Sequence, residues 1–416
     1  MQSTSPFNEI VQYLESLSIM PKTMPGIDKI RNAVNEKSWW SSVQSKKIIT
    51  VAGTNGKGTT CAALEALLLS AGKKVGLYTS PHLIQTTERI RLNGLDISED
   101  QFVDVFLRNK NLIQKYELTH FEALTLMAAD VFFTSNLDYI IFEVGLGGTY
   151  DATNVFPNHY CMITKLGLDH QNILGNSLLE IAKNKFGIVK NNSVVVHHEL
   201  PDEVLSEIKL VQNKTSSQWR KASPGKSSYQ NGQWLIDCEW GRFKINIPGS
   251  RSCENAMTAL TLFSELGFKP QDHLSALGHV RWPGRMQQFN GWNLKCPMYL
   301  SGDHNIQGVQ SLLQILEQMS WNKLHLIIGI GQDKDCNEML ELLLSLSRVN
   351  IYLTETPFKG RRLSDYPEAI KSRALVQSVD LEVIRQRLIE STSHNDLVVV
   401  TGSLYLVGLL LKTYQS

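Results

Sequence analysis

Short apolar runs rich in β-branched residues alternate with longer stretches of helical character along the first half of the chain. The apolar runs lie at residues 47–51, 75–78, 139–142, 160–164 and 193–197, and the helical patterns include residues 61–70, 121–133 and 178–186. Such alternation is typical of parallel strands, because a parallel connection needs a crossover element. The pattern therefore predicts an α/β fold with a mostly parallel sheet and helices on both faces.

The pattern changes twice towards the C-terminus. Residues 225–248 contain two alternating runs, 233–238 and 242–247, which predict an antiparallel hairpin appended to the sheet. From residue 298 the α/β alternation restarts, with strand candidates at 324–330, 351–354 and 397–401. A polar, glycine-bearing segment at 288–293 separates the two patterns. We therefore predict a large N-terminal domain over residues 1–290 and a smaller α/β domain over residues 291–416.

The composition excludes several classes of partner. The 416 residues include 41 Lys plus Arg and 40 Asp plus Glu, a formal charge of +1, so no overall field would hold nucleic acid or an anionic membrane. The sequence contains no apolar run of about 18 residues, and its first residues lack the basic and apolar parts of a signal peptide. Six scattered cysteines without a CxxC pair fit a reducing compartment. We expect a cytoplasmic monomer with no nucleic-acid or membrane partner.

A glycine loop follows the first predicted strand. Residues 53–59 read Gly-Thr-Asn-Gly-Lys-Gly-Thr and precede the helix predicted at 61–70. Glycines let backbone N–H groups converge on a phosphate, and the N-terminus of the next helix adds positive partial charge. Lys57 would add a full charge, and Thr59 or Thr60 a hydroxyl for phosphate or Mg²⁺. The spacing differs from the common G-x-x-x-x-G-K-[ST] form, so the alternative at this point is a glycine-rich turn with a solvated lysine.

Further motifs follow the loop in a definite order. They are Thr79-Ser-Pro-His-Leu83, Glu88-Arg-Ile-Arg-Leu-Asn-Gly94, Thr119-His-Phe-Glu122, Glu143-Val-Gly-Leu-Gly-Gly148, Asp151-Ala-Thr-Asn154, Leu166-Gly-Leu-Asp-His170, Ile181-Ala-Lys-Asn-Lys185, Pro283-Gly-Arg285, Gly302-Asp-His-Asn305 and Gly402-Ser-Leu-Tyr-Leu406. As an ordered set they resemble the motifs of folylpolyglutamate synthase and dihydrofolate synthase, members of the Mur ligase superfamily. The resemblance implies a P-loop sheet in a large ATP-binding domain and a smaller, Rossmann-like glutamate-ligase domain.

The resemblance also implies where ATP and two Mg²⁺ ions bind. The positions that match nucleotide contacts are Gly53, Thr54, Asn55, Gly56, Lys57, Gly58, Thr59, Asn255, Arg285, Ser301 and Asp303. One Mg²⁺ would be held by Ser80 and Glu143, whose oxygen atoms suit this hard ion. The second would be held by His170 and Lys185, the lysine being carbamylated by CO₂ in the family. Carbamylation would turn this cation into a carboxylate-like ligand.

Several of these positions also have an ordinary structural interpretation. Glu143 could be a strand-end surface charge, although the glycines after it favour a ligand-side loop. Without the resemblance, His170 would be interpreted as a core histidine and Lys185 as a solvated helix lysine. Phe121, Phe132 and Phe133 are interpreted as core residues rather than pterin contacts, although Phe121 matches a pterin-side motif of the family.

The resemblance implies the substrates and the reaction. Thr119, Phe121, Glu122, Asp151 and Ala152 match the acid-substrate side, and His304 and Ser403 match positions near the incoming glutamate. The implied substrates are L-glutamate and either dihydropteroate or a reduced folate, with Lys57, Lys185, His170 and His304 as catalytic residues. ATP would phosphorylate a substrate carboxylate, and the glutamate amine would attack the acyl phosphate. We expect the C-terminal domain to close over the site and exclude water.

The chain departs from the family pattern in places that keep alternatives open. The family has Asp-Gly-Ala-His-Asn where this chain has Ser301-Gly-Asp-His-Asn305, so Asp303 is the candidate replacement for the missing aspartate. Thr149-Tyr150 and Asn184 also differ from the usual residues. One alternative is a Mur-type ligase for a peptidoglycan precursor, although residues 119–122 and 151–154 resemble the folate branch. Another is a nucleotide- or folate-binding relative that has lost catalysis. The sequence does not choose between the two folate substrates.

Overall fold

Strands and helices alternate along the chain, as the hydrophobic pattern predicted. The structure is a computed structural model and describes residues 5–18, 26–230, 232–332, 334 and 336–414. We expected the first residues to lack the features of a signal peptide. Residues 1–4, which are part of that expectation, lie outside the described residues. The strands are β1 (Lys47–Ala52), β2 (Val75–Tyr78), β3 (Ile90–Leu92), β4 (Leu95–Asp96), β5 (Tyr139–Glu143), β6 (Tyr160–Ile163), β7 (Val194–His197), β8 (Gln218–Lys221), β9 (Gly225–Gln230), β10 (Gln233–Cys238), β11 (Gly241–Ile245), β12 (Gln287–Gln288), β13 (Met298–Leu300), β14 (Leu324–Ile328), β15 (Val349–Leu353), β16 (Ala374–Gln377) and β17 (Leu397–Thr401).

The helices fill the connections between these strands. They are α1 (Pro6–Ser16), α2 (Asp28–Asn35), α3 (Lys57–Ser70), α4 (Glu99–Lys115), α5 (His120–Thr134), α6 (Gln171–Leu174), α7 (Leu178–Phe186), α8 (Asp202–Thr215), α9 (Ser250–Glu265), α10 (Ile306–Leu316), α11 (Cys336–Leu344), α12 (Glu368–Lys371), α13 (Leu381–Ser391) and α14 (Leu404–Tyr414). No helix in the described ranges is long and apolar enough to cross a membrane.

The larger sheet has β1 near its centre. Its strand order is β4-β3-β2-β5-β1-β6-β7-β8. The six strands from β2 to β8 in this order are parallel, and β3 and β4 continue the sheet antiparallel at one edge. Ile48, Ile140 and Phe142 belong to a core that side chains of α1, α4 and α5 complete. Because parallel strands end at one edge, the loops after β1, β2, β5 and β6 meet there.

Two further sheets follow. The strand order of one is β11-β10-β9, and the other has the order β12-β13-β17-β14-β15-β16. The two-residue connection between β10 and β11 makes those strands antiparallel, since a parallel pair needs a long crossover. In the last sheet β12 is antiparallel and the other strands are parallel. The prediction of an α/β fold with mostly parallel sheets is confirmed.

The predicted elements differ from the structure mainly at their ends. The helix predicted at 61–70 begins at Lys57, because Gly56 caps it in a left-handed conformation with φ +89°. The strands predicted at 242–247 and 324–330 end earlier, at Ile245 and Ile328. The strands that were not predicted individually are β3, β4, β8, β9, β12, β13 and β16. Strand β3 has three residues and strand β16 is partly exposed, so neither shows enough of an apolar pattern to be recognised.

The chain divides into two compact units. Unit 1 comprises Met1–Lys226, Ile236–Lys244 and Cys253–Val280, and unit 2 comprises Ser227–Leu235, Ile245–Ser252 and Arg281–Ser416. The larger sheet lies in unit 1 and the six-stranded sheet in unit 2. The functional domain limits of 1–290 and 291–416 stay a prediction.

Candidate active site

The glycine loop between β1 and α3 is held in a shape that its glycines require. A Cβ atom on Gly53 would lie 1.9 Å from Thr164 Oγ1, and one on Gly56 would lie 2.3 Å from Asn255 Oδ1. The N–H of Thr54 donates to the carbonyl of Lys165 at 2.8 Å. The loop is therefore fixed against the end of β6 and against α9, and Asn255 lies beside it; the contact of Asn255 with a nucleotide stays a prediction.

Lys57 directs its charge back over this loop. Its Nζ donates to the carbonyls of Gly53 and Thr54 at 3.2 and 3.4 Å. The following Gly58 and Thr59 form the first turn of α3, where free N–H groups attract anions. Within the described part of the chain, the buried Thr60 hydroxyl has no hydrogen-bond partner. Together with Asn55, these groups provide the donors that a bound phosphate needs.

Lys185 reaches the same loop from α7. It is only 4% exposed, and its Nζ donates to the Gly53 carbonyl at 2.9 Å. Burial, together with the positive charge of Lys57, lowers the pKa of Lys185 to about 7, while Asp169 and Asp151 act in the opposite direction. Lys57 and Lys185 thus both donate to the Gly53 carbonyl, and a large fraction of the Lys185 side chains is neutral near pH 7.

Glu143 and Ser80 lie together at the same edge of the sheet. Glu143 ends β5 and is 4% exposed, and its Oε2 accepts a hydrogen bond from the Ser80 N–H at 3.0 Å. A carboxylate next to a serine residue fits Mg²⁺, which binds through one or two carboxylates and completes its shell with water and substrate phosphates. No group of three or more His, Cys, Asp or Glu side chains arranged for a metal occurs in the described residues.

His170 lies in the loop after β6. Its N–H donates to Asp169 Oδ1 at 2.9 Å, and it caps α6 with a left-handed backbone at φ +52°. Its imidazole is 35% exposed and lies 3.9 Å from the same carboxylate oxygen. Since Asp169 also raises the pKa of Lys185, the loop of His170 lies within electrostatic reach of that lysine. A joint role of His170 and Lys185 in metal binding stays a prediction.

The predicted substrate residues have clear structural contacts. Thr119 and Glu122 form the capping box of α5, with Glu122 Oε2 accepting from the Thr119 N–H at 2.9 Å. Asp151 accepts hydrogen bonds from the N–H groups of Gly145 and Leu146, both at 2.9 Å.

Gly145 provides the space for the aromatic ring of Phe121 in this region. A Cβ atom there would lie 2.5 Å from the Cζ of Phe121, so the glycine lets the ring rest on the loop that follows Glu143. Ala152 is buried at the start of the next turn. Phe132 and Phe133 are buried in the core, as predicted.

In unit 2, the predicted residues gather around the loops after β13 and β17. Ser301 Oγ donates to Asp303 Oδ2 at 2.5 Å, and the N–H of Gly402 donates to the carbonyl of Asp303 at 3.0 Å. The Gly302 carbonyl lies 3.5 Å from Arg285 Nη1 and 2.9 Å from His304 Nδ1. The hydroxyl of the buried Ser403 accepts from the Tyr405 N–H at 3.1 Å. Ser301, which stands at the position of the family's aspartate, therefore hydrogen-bonds the carboxylate of Asp303 directly.

The residues directly after β6 that support the glycine loop were not predicted from the sequence. Thr164 Oγ1 donates to the Asn55 carbonyl at 2.8 Å, and Thr54 Oγ1 donates to the Gly167 carbonyl at 2.9 Å. The available signal was a threonine at the end of a predicted strand, directly before a glycine-bearing loop. That signal is weak, because it does not specify which strand is the neighbour of β1.

Two family descriptions match successive parts of the chain. "Mur ligase middle domain" matches residues 51–263, and "Mur ligase, glutamate ligase domain" matches residues 284–404. A dihydrofolate synthase/folylpolyglutamate synthase from Buchnera aphidicola subsp. Acyrthosiphon pisum is 32% identical over 377 residues, which cover 87% of this chain and 88% of the relative. The chain belongs to the dihydrofolate synthase/folylpolyglutamate synthase family of Mur ligases. The resemblance inferred from the motifs is thereby confirmed.

Solved structures of this family agree over the full length. The bifunctional enzyme from Yersinia pestis, complexed with AMPPNP and a Mn ion, is 29% identical, with a TM-score of 0.84 and 100% coverage of both chains. A bifunctional synthase with Mn, AMPPNP and L-glutamate bound is 31% identical, with the same TM-score and coverage. Membership of the folate family makes this chain a ligase and removes the support for the peptidoglycan-precursor alternative.

Proposed function

We propose that this protein joins L-glutamate to the carboxylate of a folate-type acid, using ATP and Mg²⁺ and passing through an acyl phosphate. The acid is dihydropteroate, a reduced folate, or both. The observation that carries the proposal is the convergence of the glycine loop, Lys57, Lys185 and the Glu143–Ser80 pair at one edge of the unit 1 sheet. ATP and a divalent ion, with which family structures are complexed, match this set of donors and oxygen ligands.

In the proposed first step, a carboxylate oxygen of the acid attacks the γ-phosphorus of ATP and ADP leaves. The loop N–H groups and Lys57 would hold the phosphates. Glu143 and Ser80 would hold Mg²⁺, which would offset negative charge on the phosphates when bound. The neutral amine of Lys185 is the form that reacts with CO₂, so its environment favours the predicted carbamate ligand. That carbamate and His170 would hold the second Mg²⁺.

In the proposed second step, the amino nitrogen of L-glutamate attacks the carbonyl carbon of the acyl phosphate. The new C–N bond displaces inorganic phosphate, and the attacking neutral amine loses one proton and keeps one hydrogen as the amide N–H. His304 and Ser403 are the residues of unit 2 that we assign to the incoming glutamate. Asp303, hydrogen-bonded by Ser301, supplies the carboxylate that the family places two positions earlier. This contact favours an active enzyme over a binding protein that has lost catalysis.

The proposal is tested by glutamate-dependent ADP formation with dihydropteroate and with tetrahydrofolate, assayed in parallel. We expect turnover with at least one acid. The kcat of the Lys57→Ala variant should fall by about 100-fold or more, because the variant lacks the positive charge that stabilises the transferring phosphate. Lys74→Ala, an exposed lysine beyond the other end of α3, is the matched control and should keep wild-type turnover. Unchanged turnover in Lys57→Ala would refute the loop assignment, and ATP binding without turnover on either acid would favour a non-catalytic protein.

A further inference from the structure

The motif at residues 88–91 contains two arginines with opposite surroundings. Arg91 lies beside two carboxylates, with Nη1 3.2 Å from Glu65 Oε2 and Nε 3.4 Å from Asp96 Oδ1. Arg89 is 8% exposed, yet no carboxylate of the described chain lies within ion-pair distance of its guanidinium. A buried charge is normally paired, because its desolvation is costly. Arg89 is therefore a buried cation for which the described residues supply no counter-charge within ion-pair distance.

The hydrogen-bond partners of Arg89 are uncharged. Its Nε donates to His82 Nδ1 at 2.8 Å. A guanidinium has no acceptor atom, so His82 Nδ1 accepts and the imidazole is in its neutral form. The guanidinium also hydrogen-bonds the hydroxyl of Tyr78, which is fully buried and uncharged. These contacts orient the guanidinium but leave its positive charge uncompensated.

The motif also fixes Arg89 next to the candidate active site. Glu88 accepts hydrogen bonds from three successive N–H groups, at residues 83–85, at 2.7 to 2.8 Å. The carbonyl of Arg89 accepts from the N–H of Thr79 at 3.0 Å, and Thr79 directly precedes Ser80. The backbone of Arg89 is therefore fixed next to Thr79, and its guanidinium contacts Tyr78 and His82, which lie two positions before and after Ser80 in the chain.

The same guanidinium borders the aromatic side of the site. The ring of Tyr78, its hydrogen-bond partner, lies 5.8 Å from the ring of Phe121, which matches the substrate side of the family. Ser80, His82 and Phe121 are partly exposed, so a ligand arriving from solvent can reach this group.

We propose that Arg89 binds the carboxylate of the acid substrate and supplies its specificity for an anion. The inference rests on the proposed function and names the group that recognises the reacting end of the acid. Carboxylate oxygens fit the N–H fork of a guanidinium and would provide the counter-charge that Arg89 lacks. Next to Ser80 and Glu143, the bound carboxylate would be held close to the ion and the phosphate that it attacks.

The test measures how strongly the protein prefers an acid to its amide. Pteroate and the primary carboxamide of pteroate are titrated by calorimetry into the full-length protein, saturated with Mg²⁺ and a non-hydrolysable ATP analogue. We expect the wild-type protein to bind the acid at least about 30-fold more tightly than the amide, as is usual when a buried charge pair is truncated. Arg89→Gln should bind the two ligands within about threefold of each other, and Arg89→Lys should keep part of the preference.

Arg91→Gln is the matched control from the same motif. This variant leaves the buried Glu65 without Arg91 as its ion-pair partner, so the melting temperature of the variant should fall. Its preference for the acid over the amide should stay at the wild-type value. Arg89→Gln removes an uncompensated charge, so its melting temperature should not fall. A wild-type protein without preference for the acid, or an Arg89→Gln protein that keeps it, would overturn the role of Arg89. A preference for the acid over the amide that depends on Arg89 would support this carboxylate site. If that preference is found but glutamate-dependent ADP formation is not, the result contradicts the ligase reaction and not the role of Arg89.

Discussion

Lys185 illustrates how burial changes the chemistry of a single residue. Lysines are rarely fully buried, yet Lys185 is 4% exposed and donates to the Gly53 carbonyl at 2.9 Å. Burial and the nearby Lys57 lower its pKa to about 7, so a large fraction of the side chain is a neutral amine near pH 7. The motif drew attention to this lysine only through its family resemblance, because its partner lies 132 positions away in the chain.

The depressed pKa of Lys185 predicts a specific pH dependence of stability. In the unfolded chain this lysine returns to its ordinary pKa of 10.5, whereas the folded value is about 7. Between these pH values the unfolded state binds the additional proton, so the group makes the free energy of unfolding rise with pH. We predict that replacing Lys185 by Met reduces the stability gain between pH 7 and pH 9.

Urea denaturation in CO₂-free buffer at both pH values measures this difference. Lys183→Met, on the exposed side of the same helix, is the control and should follow the wild-type pH dependence. The same stability gain in wild type and Lys185→Met would contradict a buried amine with a lowered pKa.

Among the elements, the glycine loop depends on its neighbours as much as on its own sequence. Its strand, glycines and following helix are local features, and all three were predicted from residues 47–70. The contacts that fix it come from Thr164, Lys165 and Asn255, which are distant in sequence. The local part was therefore predictable, and the supporting part was not, because the pattern does not determine which strands lie beside β1.

The close packing of the loop predicts that Gly53→Ala abolishes nucleotide binding. The new Cβ would lie 1.9 Å from Thr164 Oγ1 and 3.2 Å from the Thr164 backbone carbon, so the loop must move away from β6. We expect the Kd for a non-hydrolysable ATP analogue to rise by about 100-fold or more, since a misplaced phosphate contact is costly.

Gly72→Ala provides the comparison for this loss. Gly72 has a positive φ of +71° but no neighbouring atom within 4 Å of the added Cβ, so the change costs about 1–2 kcal/mol of backbone strain. Its nucleotide affinity should stay at the wild-type value, and equal losses in both variants would show that strain, not the contact with Thr164, weakens binding.

At the scale of the whole molecule, the two α/β patterns and the hairpin between them were predictable from hydrophobic periodicity. Strands β1, β2 and β5 are continuous apolar runs because both faces of the parallel sheet are covered. The edge strands β4 and β16 are short, and β4 is exposed while β16 is partly exposed, so their sequences carry little periodic signal. The environment of Arg89 was equally hidden, since its charge is unusual only once the surrounding partners are known.

The central claim is that the acid is activated by transfer of phosphate to its own carboxylate. The most direct test uses an acid substrate in which both carboxylate oxygens are ¹⁸O, with ATP, Mg²⁺ and L-glutamate, and analyses the released phosphate by mass spectrometry. An acyl phosphate passes one carboxylate oxygen to phosphorus, so the account predicts one ¹⁸O in each phosphate formed during ligation. Glutamate ligation that releases unlabelled phosphate would contradict it.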